Sequence, residues 1–320
     1  MRATDSGPDR ATAFACLAVC GLIWGTPNIV IRFLKHDFDP VTQSFIRYLA
    51  ASAALCLPLC TVRRAHLAAL RLHWRSLLVP AVVLTIHQLL YVVGLYHTSA
   101  MTGVFVSKLS AVVIPLLSCM VFEDERRIVR DPRFVRGATL ALAGVAGLTL
   151  AGEHAVRDTA WFGPPLMFAS MLGWSVYAVL IKPVVRQVPP LALSAAMPLI
   201  CCVMFLPFLL MVGDLTVVAR VPLPHTALLV LSGVFIIAIG NTCYYAALNT
   251  LGTSVTAMVL LVTPLTAGVL AHVVLGEHLR PVQALFGLVL LSGCFVISSM
   301  VAGSGARQAV PTPPLDSEST

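Results

Sequence analysis

Ten apolar runs of about twenty residues follow one another through nearly the whole chain. They cover 12–33, 41–61, 77–97, 101–122, 135–152, 161–181, 191–212, 226–248, 254–275 and 282–302, with short connectors between them. A helix rising about 1.5 Å per residue crosses a hydrocarbon core of about 30 Å in that length. Lipid offers the backbone no hydrogen bonds, so such runs must satisfy their own polar groups as helices. The fold class expected is an all-α membrane protein with ten transmembrane helices. Composition agrees: 58% of residues are hydrophobic and 11% charged, where a soluble domain carries about 25% charged residues. The first run resembles a secretory leader, and Leu17-Ala18-Val19-Cys20 is close to a lipobox. Val19 stands where a small residue is expected, however, and the run continues to Phe33, which favours a first span.

The formal charge of +7 does not read as a nucleic-acid footprint, because the basic residues sit in the connectors. With the N-terminus inside, fourteen Lys and Arg fall in cytoplasmic segments and five outside. That bias predicts a multi-pass protein of the inner membrane with both termini cytoplasmic. Nine cysteines all fall in apolar runs without a C-x-x-C spacing, which reads as packing rather than metal binding or disulfides.

The chain also repeats itself. Trp24 precedes Arg32 by eight residues, as Trp174 precedes Lys182. Pro40 and Pro190, and Gly137 and Gly287, are 150 residues apart; Pro132 and Pro281 are 149 apart. Tyr91 to Leu95 echoes Tyr244 to Leu248 at an offset of 153. Each half then holds five spans, and an odd number inserts the second half the other way round. The expected organisation is a tail over 1–11, one five-helix repeat over 12–152, an inverted copy over 153–302, and a disordered Pro/Ser/Thr-rich tail over 303–320.

Ten spans in two halves, Trp24-Gly25 in the first span, Arg47 early in the second and Leu275-Gly276-Glu277 ending the ninth resemble the EamA family of the drug/metabolite transporter superfamily. The resemblance covers about 12–302. Its motifs are loose one by one, and the architecture carries it. The fourth span departs from it, ending in Phe122-Glu123-Asp124-Glu125 without the Gly-Glu of the ninth. Pro115 lies ten residues before Glu125, and Pro264 thirteen before Glu277, so the two kinks sit about one turn apart in the halves. The resemblance implies transport of a small metabolite, with export favoured over import, and names no substrate.

No span contains Asp or Glu. That disfavours intramembrane carboxylate coupling and carboxylate-held Mg²⁺. There is also no Walker loop, dinucleotide fingerprint or H-E-x-x-H. A membrane-embedded enzyme is therefore the weaker alternative, and no catalytic residue, cofactor or metal is expected. A membrane sensor or scaffold is the other alternative. It would need a soluble domain, and no loop exceeds about twenty residues.

Arg47 and Lys108 lie at similar depth in the second and fourth spans, which predicts an electropositive chamber for a carboxylate. The plainer reading is that each snorkels to the outer interface. His87, Gln88 and Tyr91 in the third span, and Asn241, Tyr244 and Tyr245 in the eighth, form polar-aromatic faces suited to a substrate cavity or to interhelical hydrogen bonds. Trp24, Trp174 and Tyr177 join them as candidate lining, against an interfacial belt. With no carboxylate in the spans, His87 and His272 are the candidate proton carriers, and Glu125 and Glu277 the reserve. Pro27, Pro115 and Pro264 are candidate bends, and Gly144 and Gly147 a close-packing seam. The expected function is a secondary transporter of a small anionic or zwitterionic metabolite such as an amino acid. Its partners are that substrate and the bilayer, not nucleic acid, and a homodimer is compatible.

Overall fold

The computed structural model describes residues 9–62, 64–122, 126–152, 161–185, 187–277 and 280–308, and their regular structure is all helical. The outer parts of both expected tails, and Glu125, lie outside the described residues. Seven segments are long and apolar enough to cross a membrane: Ala11–His36, Leu70–Tyr96, Ala100–Val121, Gly163–Val185, Pro190–Val212, Leu223–Leu251 and Pro281–Met300. Leu260–Leu275 is a shorter apolar helix.

Several spans are broken, each for a local reason. The first consists of α1 (Arg10–Ile23) and α2 (Pro27–Phe33). Asp9 caps α1 by accepting from the Thr12 amide at 2.9 Å. Pro27 has no N–H to extend α1, but its fixed φ suits the first turn of α2. Helices α3 (Pro40–Val62) and α4 (Arg64–Tyr96) follow. The apolar segment Ala100–Val121 divides at Leu109 into α5 (Ala100–Lys108) and α6 (Ser110–Val121). After α7 (Arg126–Arg130) come α8 (Pro132–Gly152), α9 (Gly163–Val185) and α10 (Pro190–Val212).

The segment beginning at Leu223 is α11 (Leu223–Ser232), a π-helical stretch Gly233–Ile239, and α12 (Gly240–Val259). The connector expected at 249–253 is not a break. It contains no proline, and α12 runs through it to Val259. The interruption falls at a 3₁₀ turn, Leu260–Val262, just before Pro264 near the start of α13 (Thr263–Leu275). Pro264 cannot donate to the Leu260 carbonyl four residues back, so the α-helical ladder stops there. Gly276, at φ 64°, ends α13 in the left-handed conformation, and the Glu277 amide closes back on the Ala271 carbonyl at 3.1 Å. Helix α14 (Pro281–Gln308) runs past the end expected at 302.

Helices pair as α1 with α12, α4 with α9, α3 with α10, α5 with α13 and α8 with α14. In lipid, pairing depends on close approach rather than on water exclusion. The α8–α14 seam shows how small residues permit it. A Cβ on Gly144 would lie 2.5 Å from the Leu290 backbone nitrogen, and one on Gly147 would lie 2.1 Å from the Phe286 ring. The buried side chains form two large clusters. One is centred on α3, α4, α9, α10 and α12. The other is centred on α2, α5, α8, α13 and α14. Large apolar side chains such as Leu210, Met211, Val273 and Phe295 are exposed on the outside, where lipid would meet them.

Candidate substrate-binding cavity

A cavity of about 250 Å³ lies between the two buried clusters and takes lining residues from both. The interruptions in the spans converge on it. Trp24 and Pro27 come from the α1–α2 break, Lys108 and Ser110 from the α5–α6 break, and Leu260 and Leu261 from the 3₁₀ turn. Ile236 and Ile237 come from the π-helical stretch. Irregular backbone at membrane depth is tolerated where it borders such a cavity.

Arg47 is only 2% exposed, and it lines the cavity. Its Nε and Nη1 have no hydrogen-bond partner among the described residues. Its neighbour Tyr48 lines the cavity too and donates weakly to Gln88 Oε1 at 3.5 Å. Lys108 reaches across the cavity wall, and its Nζ donates to the Leu260 carbonyl at 3.0 Å. That is the carbonyl deprived of its helical donor by Pro264. The Thr263 hydroxyl donates to the same oxygen at 2.9 Å. Among the described residues no Asp or Glu belongs to the lining.

Much of the remaining lining is aromatic. Trp24 lies edge-on to Trp174, with ring centroids 5.9 Å apart, and tilts over Tyr244 at 4.9 Å. His87 stacks near Trp174 at 5.5 Å and Tyr91 at 5.8 Å. His87 Nδ1 is 2.8 Å from the Ser170 carbonyl, which only accepts. The Ser170 hydroxyl lies 2.9 Å from the same nitrogen, so Nδ1 donates to the carbonyl or accepts from the hydroxyl according to the tautomer. Asn28 donates to the Ala100 carbonyl at 3.0 Å and accepts from the Tyr91 hydroxyl.

The lining thus brings together Arg47, Lys108, His87, Gln88, Tyr91, Trp24, Trp174, Asn241 and Tyr244. It does not include Tyr177 and Tyr245. These two bond to each other by their hydroxyls and are buried in the core, behind Trp174 and Tyr244. Adjacent helical residues point about 100° apart, so Tyr244 and Tyr245 cannot share a face. His272 is exposed and lies away from the cavity. Sequence reasoning missed Asn28, Tyr48, Ser107, Ser170 and Thr263, all of which line it. Asn28 was the most legible of these, being an amide within an apolar run directly after Pro27.

A second polar assembly joins the ends of α2, α4, α5 and α13. Glu277 accepts from the Ala100 and Met101 amides at 3.0 and 3.4 Å, at the N-terminus of α5. The same carboxylate pairs with Arg32 Nε at 3.2 Å. Arg32 in turn donates to the Leu95 and Thr98 carbonyls. Nearby at this end, Asp37 meets His225 at 2.8 Å, and Asp39 accepts from the Asp214 amide at 3.3 Å.

An apolar helical bundle, broken helices and a central cavity with polar walls define a multi-pass membrane transporter. The chain belongs to the EamA-like transporter family, whose model matches it twice, over residues 12–150 and 161–299. An uncharacterized transporter of Archaeoglobus fulgidus is 27% identical over 285 residues, covering 88% of this chain and 96% of the relative. One from Haemophilus influenzae is 21% identical over 282 residues, covering 85% of this chain and 92% of the relative. A solved crystal structure aligns with a TM-score of 0.66 at 17% identity, covering 92% of this chain and 99% of the other.

Proposed function

We propose that this transporter carries a small anionic or zwitterionic metabolite, such as an amino acid, across the inner membrane by alternating access. The observation that carries the reading is the charge of the cavity. Among the described residues its lining has two cations, one with unpartnered donors, and no fixed anion. Such a site attracts a carboxylate and repels organic cations, because charges interact strongly where water is scarce. The aromatic wall suits the rest of a small metabolite. Export over import rests on the family resemblance alone.

The ten-crossing inverted repeat is the architecture proposed for this cycle. Two observations support it. The family model matches the chain twice in succession. The helix pairs are also reciprocal: α1 with α12 and α4 with α9 exchange when the halves are exchanged. Trp24 and Trp174, matched positions of the two halves, touch each other, as residues near a two-fold axis do. Fourteen basic residues against five place both termini in the cytoplasm in this reading. The Arg32–Glu277 assembly then closes the outer side.

The test is flux in proteoliposomes with a metabolite panel under imposed pH and potential gradients. Wild type should move carboxylates or zwitterions and exclude organic cations. Cation transport that survives Arg47→Met and Lys108→Met unchanged would overturn the reading.

A further inference from the structure

Helix α4 is longer than a membrane requires. Its 33 residues extend about 50 Å, against a hydrocarbon core of about 30 Å. Tyr96 sits at one end, where its hydroxyl donates to the Phe38 carbonyl at 2.7 Å. Arg75 lies about 32 Å from it along the helix, one core thickness away, so Arg71, Trp74 and Arg75 stand at the level of the lipid headgroups. Exposure settles which face they occupy. Leu78, Val82 and Ile86, at steps of four, are exposed apolar residues and form the stripe of α4 that lipid would meet. Arg71 and Arg75 continue that stripe at steps of four and three, and they too are exposed. Leu77, turned away from the stripe, is buried in the core. The two arginines therefore point out of the bundle and not into the cavity. Exposed Leu72 and Trp74 flank them on either side. Helix α4 contains no Asp or Glu. Among the described residues Arg71 has no ion-pair or hydrogen-bond partner, and Arg75 has only the face of the Trp74 ring, 5.5 Å from its guanidinium carbon. Two cations one turn apart repel each other, and an anion that bridges them removes the repulsion.

We infer that Arg71, Trp74 and Arg75 form a docking site for an anionic phospholipid, with its phosphate between the two guanidinium groups. A guanidinium fork meets two phosphate oxygens at once. The Trp74 ring holds the Arg75 fork in place, and an indole is at home in the interface. The apolar stripe that continues from the arginines gives the acyl chains a surface to lie along. A zwitterionic lipid would bring an ammonium of its own, which two arginines repel, so the site selects a headgroup of net negative charge. Helix α4 also carries His87, Gln88 and Tyr91 of the cavity lining, so the lipid anchors one of the cavity's walls. Neither the orientation of the chain nor its substrate enters into this contact.

The experiment follows the thermal midpoint of the full chain in detergent while phosphatidylglycerol, or phosphatidylcholine with the same acyl chains, is titrated in. Half of the stabilisation of wild type should be reached at a phosphatidylglycerol concentration about 25-fold lower than for phosphatidylcholine, roughly fivefold for each arginine. The preference should vanish when Arg71→Gln and Arg75→Gln are combined, and fall about fivefold in Arg75→Gln alone. Arg133→Gln, which removes an exposed arginine at the start of α8, should keep it. Equal stabilisation of wild type by the two lipids would overturn the inference, and so would a preference that survives in the double variant. A preference lost as fully in Arg133→Gln would assign it to net charge and not to this site. Stabilisation by glycerol 1-phosphate at the same concentrations as phosphatidylglycerol would make the occupant a free phosphate and remove the lipid. If the double variant fails to fold, Arg75→Gln and the two wild-type titrations decide.

Discussion

Arg47 is the side chain whose position costs most without a partner. A buried guanidinium with two unbonded donors is a liability for the fold. Arg47→Met should therefore leave the thermal midpoint unchanged or raised, while substrate binding falls about tenfold or more. A variant that unfolds instead would mark Arg47 as structural. Lys108 is different, because it has a partner in Leu260. Removing it does not orphan that carbonyl, since Thr263 remains bonded to it at 2.9 Å. Lys108→Met is thus expected to fold and insert as wild type but lose transport. Lys108→Arg should retain part of it, a planar fork replacing a point charge. Unchanged flux in Lys108→Met would reduce the lysine to a tether between α5 and the 3₁₀ turn. For coupling, the two histidines are no longer equal candidates. His87 lines the cavity, whereas His272 is exposed and not among its lining residues. Proton-driven flux, if present, should fail in His87→Gln and survive His272→Gln; the reverse pattern would exclude His87 as carrier.

The elements make their own demands, chiefly at close crossings. Gly144 on α8 lies against the Leu290 backbone, which has no flexible end to yield. Gly144→Leu should force the helices apart and cost about 1–3 kcal/mol of stability, read as a lowered thermal midpoint in detergent. A midpoint equal to wild type would mean that the α8–α14 seam is not tight. That seam was legible in the sequence because small residues in a span have few other uses. The apolar runs were legible too, since lipid permits so little else. The interruptions were harder. Pro27 and Pro264 announce theirs, but nothing at Leu109 marks the α5–α6 break. The π-helical stretch Gly233–Ile239 begins at Gly233, which fits closely against the Arg47 carbonyl, a tertiary contact with no local signature. For the same reason the lining residues could be named by type but not sorted. Tyr244 and Tyr245 are adjacent in sequence, and only the packing of α12 decides which one meets the cavity.

At the scale of the whole molecule, alternating access requires one side of the cavity to close while the other opens. Orientation comes first: in the proposed topology a cysteine at exposed Asp214 should label only from outside, and one at exposed Arg133 only from the cytoplasm. The outer closure then falls to Arg32 and Glu277. Gly276 turns the chain at the end of α13 so that Glu277 faces the N-terminus of α5. There the carboxylate meets two backbone amides and the positive end of the helix, as well as Arg32. The pair is largely shielded, with side-chain exposures of 10% and 13%, so solvent does not screen it as it would a surface bridge. It joins α13 to α2 and α5, so opening that side must break it. Glu277→Gln keeps the shape but loses the charge. It should shift the population towards the outward-open state by about tenfold, an amount within reach of one shielded ion pair. The reporter is a cysteine replacing Val104, a buried lining residue, in a chain otherwise free of cysteine. Its labelling from outside by a membrane-impermeant maleimide should quicken in Glu277→Gln. Arg32→Gln should quicken it by a similar factor, and the double variant no further, because both changes break one contact. Labelling that stays at the wild-type rate in both single variants would show that the outer side is held shut elsewhere, at Asp37–His225 or Asp39–Asp214, and that Glu277 only caps α5.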